Sequence, residues 1–156
     1  RSARGGGSKP AWPIVGACGN LAAMPIAQSL VVFAKNKKRV SAFYRQTLGL
    51  VAIEEQASHD LLQGPGIELV IHAIPKKIAA TITIATPPSV REATPLKPAF
   101  VVKDLEAVRK AAAATGGFLK PTSAAWDIRD HTVLDGHDPE GNVIQFKQRQ
   151  RSPTRR

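Results

Sequence analysis

The chain of 156 residues is poor in cysteine, aromatic residues and acidic residues, and the first of these shortages excludes two kinds of site. Its single cysteine, Cys18, excludes an internal disulfide and a metal cluster held by several thiolates of one chain. No run of 18 apolar residues is present, so we predict no membrane-spanning segment. An apolar content of 43% can build a core, and the length suits one domain, which we expect to be cytoplasmic.

Acidic residues are scarce enough to leave a formal net charge of +10, but the excess lies at the ends of the chain. Residues 1–23 carry +3 and residues 147–156 carry +5, which leaves only +2 on residues 24–146. A nucleic-acid-binding domain carries a basic face on its folded body, usually with aromatic residues for stacking. We therefore predict no nucleic-acid partner.

The two ends of the chain are also unlike its middle in composition. Residues 1–23 are rich in Gly, Ala and Pro, lack hydrophobic periodicity and lack the long apolar centre of a secretory signal. Met24 is the only methionine, so we interpret it as the natural start and residues 1–23 as disordered or upstream sequence. Residues 148–156 are predicted to form a basic disordered tail. The globular domain is then residues 24–147.

The middle of the chain contains one pattern twice, because residues 29–51 resemble residues 97–119 at an offset of 68 positions. In each copy a short apolar run is followed by Asn36 or Asp104, whose side chains are suited to capping the first turn of a helix. Apolar residues then recur at helical spacing until a glycine ends the pattern. The sequence therefore predicts helices that begin near Asn36 and Asp104. A second similarity relates residues 67–69 to residues 144–146, at an offset of 77.

Strand-like segments complete each copy. They are residues 29–34, 50–55, 59–63 and 67–74 in the first half, and residues 98–102, 118–121, 132–134 and 142–147 in the second. The order is β-α-β-β-β, twice, in modules of about residues 25–74 and 96–147. The prediction is an α+β fold in which any site lies where the modules meet.

Two motifs carry a resemblance to a known family. Residues 41–44 read Ser-Ala-Phe-Tyr before Leu48-Gly49, and residues 138–142 read Asp-Pro-Glu-Gly-Asn before a Val-Ile-Gln strand. Over residues 25–147 the chain resembles the vicinal oxygen chelate superfamily, which includes glyoxalase I, bleomycin-resistance proteins and extradiol dioxygenases. The resemblance implies one curled mixed-sheet domain around a shared cavity, with the helices outside, and a homodimer.

The resemblance also implies where a metal ion would lie. Metal-using relatives place ligands on the first and last strands of each module, which correspond here to Ser29, Glu68, Lys97 and Gln145. Lys97 has no acceptor and opposes a cation, so only Glu68 and Gln145 offer good donors. We predict no metal, and expect Lys97 to pair with Glu68 at the cavity floor. Losing one partner of such a buried pair would cost roughly 3–5 kcal/mol. The alternative is that Lys97 lies at a solvated strand end.

Three further residues complete the predicted cavity. Strand alternation places Phe33 on the same face as Ser29, and His72 on the same face as Glu68. His72 can serve as a ligand, a general base or a hydrogen-bonded wall residue. Trp126 can stack on a flat ligand or anchor an irregular segment.

These observations support a metal-independent protein that binds a small organic molecule between its two modules. The alternative is a lyase, isomerase or dioxygenase with one divalent metal ion held by Glu68, Gln145, His72 and water. A third interpretation is an interaction module with a vestigial cavity, and whether the chain is an enzyme stays open. No serine-nucleophile motif, phosphate-binding loop or dinucleotide fingerprint is present in the sequence.

Overall fold

The computed structural model describes residues 28–150, and within them one order of elements occurs twice. The first module contains β1 (Gln28–Ala34), α1 (Lys37–Leu48), β2 (Val51–Glu55), β3 (His59–Gly64) and β4 (Ile67–Ala73). The connection contains the short helix α2 (Lys76–Ala79). The second module contains β5 (Ala99–Val102), α3 (Leu105–Thr115), β6 (Phe118–Leu119), a 3-10 turn (Thr122–Ala124), β7 (Trp126–Ile128), β8 (His131–His137) and β9 (Val143–Arg149).

The predicted N-terminal segment, residues 1–23, lies outside the described residues, as do residues 151–156 of the predicted tail. The last strand, β9, extends to Arg149, so it takes in two residues that the sequence analysis assigned to the tail. Among residues 28–150, no helix is both long enough and apolar enough to cross a membrane.

Both long helices begin where the sequence predicts. The side chain of Asn36 accepts a hydrogen bond from the backbone N–H of Arg39, and that of Asp104 accepts from the N–H groups of Glu106 and Ala107. Each helix ends at a glycine with a positive φ, Gly49 at 67° and Gly116 at 86°, a conformation that costs glycine little.

The strands form two mixed sheets. The first has the order β1-β4-β3-β2, and the second has the order β5-β9-β8-β6, with β7 paired to β8. In each sheet the first strand runs parallel to the last strand of its own module, while the other pairs are antiparallel. This arrangement confirms the predicted α+β fold of two similar modules. The strand β7 and the helix α2 are additions that the sequence did not predict.

One hydrophobic core spans both modules on the side of the sheets that carries the helices. Phe43 and Tyr44 of α1 are buried together, with ring centroids 5.1 Å apart. Tyr44 also contacts Phe100 of β5 edge-on at 6.4 Å, and Phe100 lies 6.3 Å from Phe146 of β9. The Phe-Tyr pair of the first motif therefore joins the modules through packing, which agrees with a role in the fold.

The register of the sheets corrects one detail of the repeat. Val31 pairs with Val70, and Ala99 pairs with Gln145. Because Val31 and Ala99 are 68 positions apart, the structural counterpart of Val70 is Gln145, at an offset of 75 and not the expected 77. The counterpart of Glu68 is then Val143. A shift of two residues keeps each side chain on the same sheet face but moves it along the strand.

Candidate functional site

Each sheet has one face that the helices cover and one that they do not, which we call the helix-free face. On the first sheet this face carries Ser29, Val31 and Phe33 of β1 beside the alternate residues of β4. Large apolar side chains are exposed here, with Phe33 at 61% and Val101 of β5 at 68%. Exposed large apolar side chains are typical of protein surfaces that contact a ligand or another protein.

A first polar cluster lies on the helix-free face of the first module. Ser29 Oγ donates to Glu68 Oε1 at 3.0 Å, from directly paired positions of β1 and β4. Further along the same strands, Phe33 contacts His72 at 5.4 Å between ring centroids. His72 stacks on His59 of β3 at 6.3 Å, and its Nδ1 lies 3.0 Å from the carbonyl oxygen of Ala73. The structure thus places four predicted residues in two adjacent contacts.

A second polar cluster lies on the corresponding face of the second module. Lys97 Nζ donates to Asp135 Oδ2 at 3.2 Å, and Gln145 Nε2 donates to Asp135 Oδ1 at 3.2 Å. The expected pair between Lys97 and Glu68 is therefore wrong. Asp135 lies directly opposite Gln145 in the β8–β9 register, so it supplies a carboxylate within the same module. Extending the predicted strand 132–134 by one residue would have revealed Asp135.

Trp126 lies on the same face of the second sheet as the second cluster, two positions along β8 from Asp135. It belongs to β7, directly opposite Val133 of β8, and its side chain is partly exposed. Directly paired residues share a face, so Trp126 lies on the same face as Lys147, which pairs with Val133 from the other side.

The donors at the four positions of the metal-using relatives do not fit a divalent ion. Glu68 accepts from Ser29, whereas the ammonium of Lys97 and the amide NH2 of Gln145 both contact Asp135. Within residues 28–150, no three His, Cys, Asp or Glu side chains are grouped in a way that could hold a metal ion. A divalent ion needs several oxygen or nitrogen lone pairs, and a lysine ammonium offers none.

A cleft of about 870 Å³ opens where the two modules meet, at the ends of β1 and β5. Its apolar lining includes Leu30, Leu48, Leu50, Ile67, Phe100, Val102 and Val108. Its polar lining includes Gln28, Ser29, Gln46, Thr47, Lys103 and Asp104. Of the seven predicted site residues, all of them within the described range, Ser29 lines this cleft and the other six do not.

On the opposite side of the molecule, the junction between the modules is closed by the Asp138–Asn142 turn. Glu140 of this turn is buried, and its carboxylate accepts hydrogen bonds from the backbone N–H groups of Lys35 at 3.0 Å and Asn36 at 2.6 Å. The second motif of the sequence therefore holds the second module against the start of α1.

Asp138 is the centre of the same turn. Its carboxylate accepts from the backbone N–H groups of Glu140 and Asn142, from the Asn142 side chain at 2.7 Å and from the Tyr44 hydroxyl at 3.4 Å. Burial raises the pKa of Asp138, although the hydrogen bonds from Asn142 and Glu140 oppose that shift. Burial, followed by the charge and the hydrogen bond of Asp138, raises the pKa of Tyr44 well above 10.0. The Tyr44 hydroxyl therefore acts as a donor, not as an acid.

Solved structures with this fold are known. A glyoxalase/bleomycin resistance protein/dioxygenase family enzyme from Burkholderia phytofirmans PsJN is 20% identical, with 77% of this chain and 95% of that chain covered and a TM-score of 0.55. A glyoxalase/bleomycin resistance protein from Albidiferax ferrireducens T118 is 21% identical, with 78% and 96% covered and a TM-score of 0.54. The oxidase ChaP-H2 is 17% identical, with 81% and 94% covered and a TM-score of 0.55.

No protein-family model matches the chain, and no curated protein matches its sequence. The solved structures nevertheless confirm, at the level of the fold, the resemblance that the Phe-Tyr and Asp-Pro-Glu-Gly-Asn motifs carry. A fold of this kind hosts more than one function, so the function depends on the residues of the site.

Proposed function

We propose that this protein binds a small organic molecule, without a metal cofactor, in the cleft between its two modules, and that it does so in the cytoplasm. The observation that carries the proposal is the cleft itself, about 870 Å³ in volume. Sites for small molecules are commonly concave, largely apolar and of about 300–1,000 Å³, with a few polar groups that orient the ligand. The lining of this cleft has that composition, with Ser29 and Thr47 among its few polar side chains.

The proposal of metal independence is supported by the chemistry of the four family positions. Lys97 places a positive charge beside Gln145, with Asp135 between them as the shared acceptor. A second cation at this place would have to displace an ion pair that is already formed. On this proposal, the ligand is held by apolar contact and hydrogen bonds, not by coordination.

A homodimer is part of the proposal. The exposed side chains of Val31, Phe33 and Ile53 give the first sheet an apolar face that its own helices leave uncovered. A second copy of the chain would cover this surface, as the family resemblance implies. The mass measured by analytical ultracentrifugation should therefore be twice that of the chain, and a strictly monomeric protein would contradict this part of the proposal.

The metal-dependent enzyme remains a second candidate because of the histidine pair. His72 and His59 stack on the helix-free face, and His59 Nε2 lies 3.4 Å from Glu54 Oε1. One of the solved structures with the same fold is the oxidase ChaP-H2. Elemental analysis of protein purified without added metal separates the candidates. Zinc, nickel, iron or manganese at one equivalent per chain would reject the metal-independent proposal.

A thermal-shift screen against a library of small organic molecules tests binding in the cleft. A ligand that binds only the folded protein stabilises it by about 2.7 kcal/mol at 100 times its Kd, and so raises Tm by several degrees. The variant Ala107→Trp should remove the shift, because Ala107 is an exposed residue of α3 that lines the cleft. Lys110→Trp, one turn further along α3, is the matched control and should keep it.

Two outcomes would contradict the cleft as the site. One is a ligand whose shift survives in Ala107→Trp, which would place binding on another surface such as the Phe33–His72 face. The other is a broad library that produces no shift in the wild-type chain, which would favour the interaction module.

A further inference from the structure

Two backbone N–H groups line the cleft, and the equivalent N–H groups of the other module donate hydrogen bonds to a carboxylate. Lys103 and Asp104 line the cleft where β5 leads into α3. No residue between 28 and 150 accepts a hydrogen bond from either backbone N–H group. At the offset of 68 their counterparts are Lys35 and Asn36, whose N–H groups both donate to the Glu140 carboxylate.

The two places differ because of the hairpin turn that faces them. The turn between β8 and β9 has five residues, Asp138–Asn142, and brings Glu140 to the start of α1. The turn between β3 and β4 has only two, Pro65 and Gly66, and neither has an acceptor in its side chain. Both residues line the cleft. The cleft is therefore the space that a carboxylate-bearing turn fills in the other half.

Among residues 28–150, the N–H groups of Lys103 and of the N-cap Asp104 lack an acceptor, whereas those of the first turn of α3 have one. The first N–H groups of α3 already have acceptors, since Gln148 Oε1 accepts from Leu105 N at 2.8 Å and Asp104 Oδ1 accepts from Glu106 N and Ala107 N. The donors of Lys103 and Asp104 precede the helix and line an apolar cleft. An unpaired backbone donor that a ligand covers is costly unless the ligand supplies an acceptor.

We infer that the ligand of this cleft carries a carboxylate, which accepts hydrogen bonds from the backbone N–H groups of Lys103 and Asp104. This inference rests on the proposed function, because it names the chemistry of the molecule bound in the same cleft. The apolar part of the ligand lies against Leu30, Phe100 and Val108. The Lys103 ammonium, which has no ion-pair partner among residues 28–150, offsets the charge of the Asp104 carboxylate, which also lines the cleft but accepts hydrogen bonds from Glu106 N and Ala107 N. The ligand class is an organic acid with an apolar body.

The test compares 4-phenylbutyrate with 4-phenylbutanamide, which share an apolar body and differ in charge. Each is titrated into the full chain labelled with ¹⁵N, and the backbone amide signals are followed by NMR. We expect 4-phenylbutyrate to shift the signals of Lys103 and Asp104 and to bind at least about tenfold tighter than the amide. Charge-assisted hydrogen bonds to a carboxylate are stronger than those to a neutral carbonyl, which is the reason for the preference.

Variants separate the backbone from the side chain. Lys103→Ala retains the N–H group and should retain most of the preference for the acid. Lys103→Pro removes that N–H group and should abolish most of the preference, without weakening the amide probe. As a second route, replacing Pro65-Gly66 by Asp-Pro-Glu-Gly-Asn supplies an internal carboxylate, which should compete with 4-phenylbutyrate.

The inference is overturned if both probes bind equally, or if the Lys103 and Asp104 amides do not respond. It is also overturned if Lys103→Ala abolishes the preference, because the ammonium alone would then account for it. Equal shifts of cleft signals such as Val108 by both probes would leave the proposed function standing and reject only the carboxylate. If neither probe shifts a cleft signal, the carboxylate is rejected, and the library screen decides the proposed function separately.

Discussion

The two junctions between the modules start from the same local design and end in opposite states. At one junction, the Asp138–Asn142 turn packs on the start of α1, and the Glu140 carboxylate accepts hydrogen bonds from the backbone N–H groups of Lys35 and Asn36. At the other, the Pro65-Gly66 turn faces the start of α3 across an open cleft. The helix starts themselves are alike, since each is capped by an Asn or Asp side chain. Within residues 28–150, a difference of three residues in one turn therefore separates the junction that a carboxylate closes from the junction that stays open.

The same comparison explains where charge is buried. At the closed junction Asp138 and Glu140 are almost fully buried, and each is stabilised by several donors. At the open junction, Lys103 and Asp104 are exposed. Substitutions that remove the buried acceptors of the closed junction should therefore destabilise the fold more than substitutions of exposed charged residues do.

Asp138→Ala should cause the largest loss of stability. It removes the acceptor of the buried Glu140 N–H and Tyr44 hydroxyl, and of the partly buried backbone N–H and side-chain amide of Asn142. Since each buried donor left without a partner costs about 1–3 kcal/mol, we expect a loss of roughly 3 kcal/mol or more in urea unfolding. Asp127→Ala is the control, because Asp127 is exposed and contacts only Thr132 through its side chain among the described residues. Equal losses in the two variants would show that the turn is not a fixed element.

Glu140→Ala should open the closed junction at a smaller cost. Lys35 and Asn36 lose their acceptor, but both are at the surface and water can replace part of it. We expect a loss of about 1–3 kcal/mol in the free energy of unfolding, and a smaller loss for Glu140→Gln, which keeps one acceptor oxygen. The exposed Glu92→Ala serves as the control. A neutral Glu140→Ala would remove the basis for comparing this junction with the cleft.

Tyr44 should make the closed junction sensitive to alkaline pH. Its pKa is raised in the folded protein, chiefly by burial, whereas in the unfolded chain it titrates near about 10. The raised value contributes stability that is fully present below about pH 10 and is lost as the pH rises towards the folded pKa. The free energy of unfolding should therefore fall more steeply above about pH 10 than in Tyr44→Phe. Tyr44 is the only tyrosine, so tyrosinate absorbance reports it directly, and ionisation at its ordinary pKa in the folded protein would contradict burial.

Lys97→Met should have the smallest effect. The Lys97 side chain is 44% exposed and that of Asp135 is 25% exposed, so their pair is largely solvated. Exposed ion pairs are worth about 0–1 kcal/mol, in contrast to the 3–5 kcal/mol expected for a buried pair with Glu68. Adding Glu68→Gln to Lys97→Met should recover no stability, because Glu68 accepts a hydrogen bond from Ser29 and is not paired with Lys97. A loss of several kcal/mol by thermal or urea unfolding would indicate that Lys97 is buried in a larger assembly.

Elements with local signals could be read from the sequence, and those without such signals could not. The caps at Asn36 and Asp104 act within three residues of themselves, which is why both helix starts were predicted correctly. The β7–β8 hairpin was missed because its turn is Arg129-Asp130, with Arg129 at a φ of 54°. Two-residue hairpin turns are usually recognised in a sequence by Asn-Gly or Asp-Gly, and Arg129-Asp130 is neither.

The sequence by itself determined the two modules, their helices and the faces of their strands, since capping and alternation depend only on neighbouring residues. Only the tertiary structure decided which residues meet. The partner of Lys97 is Asp135 and not Glu68, because the β8–β9 register places Asp135 opposite Gln145. A shift of two positions leaves every side chain on its predicted face while changing its neighbours, so alternation cannot fix the register. The length of one turn then left one junction closed and the other open, because only the longer turn brings a carboxylate to the facing backbone donors.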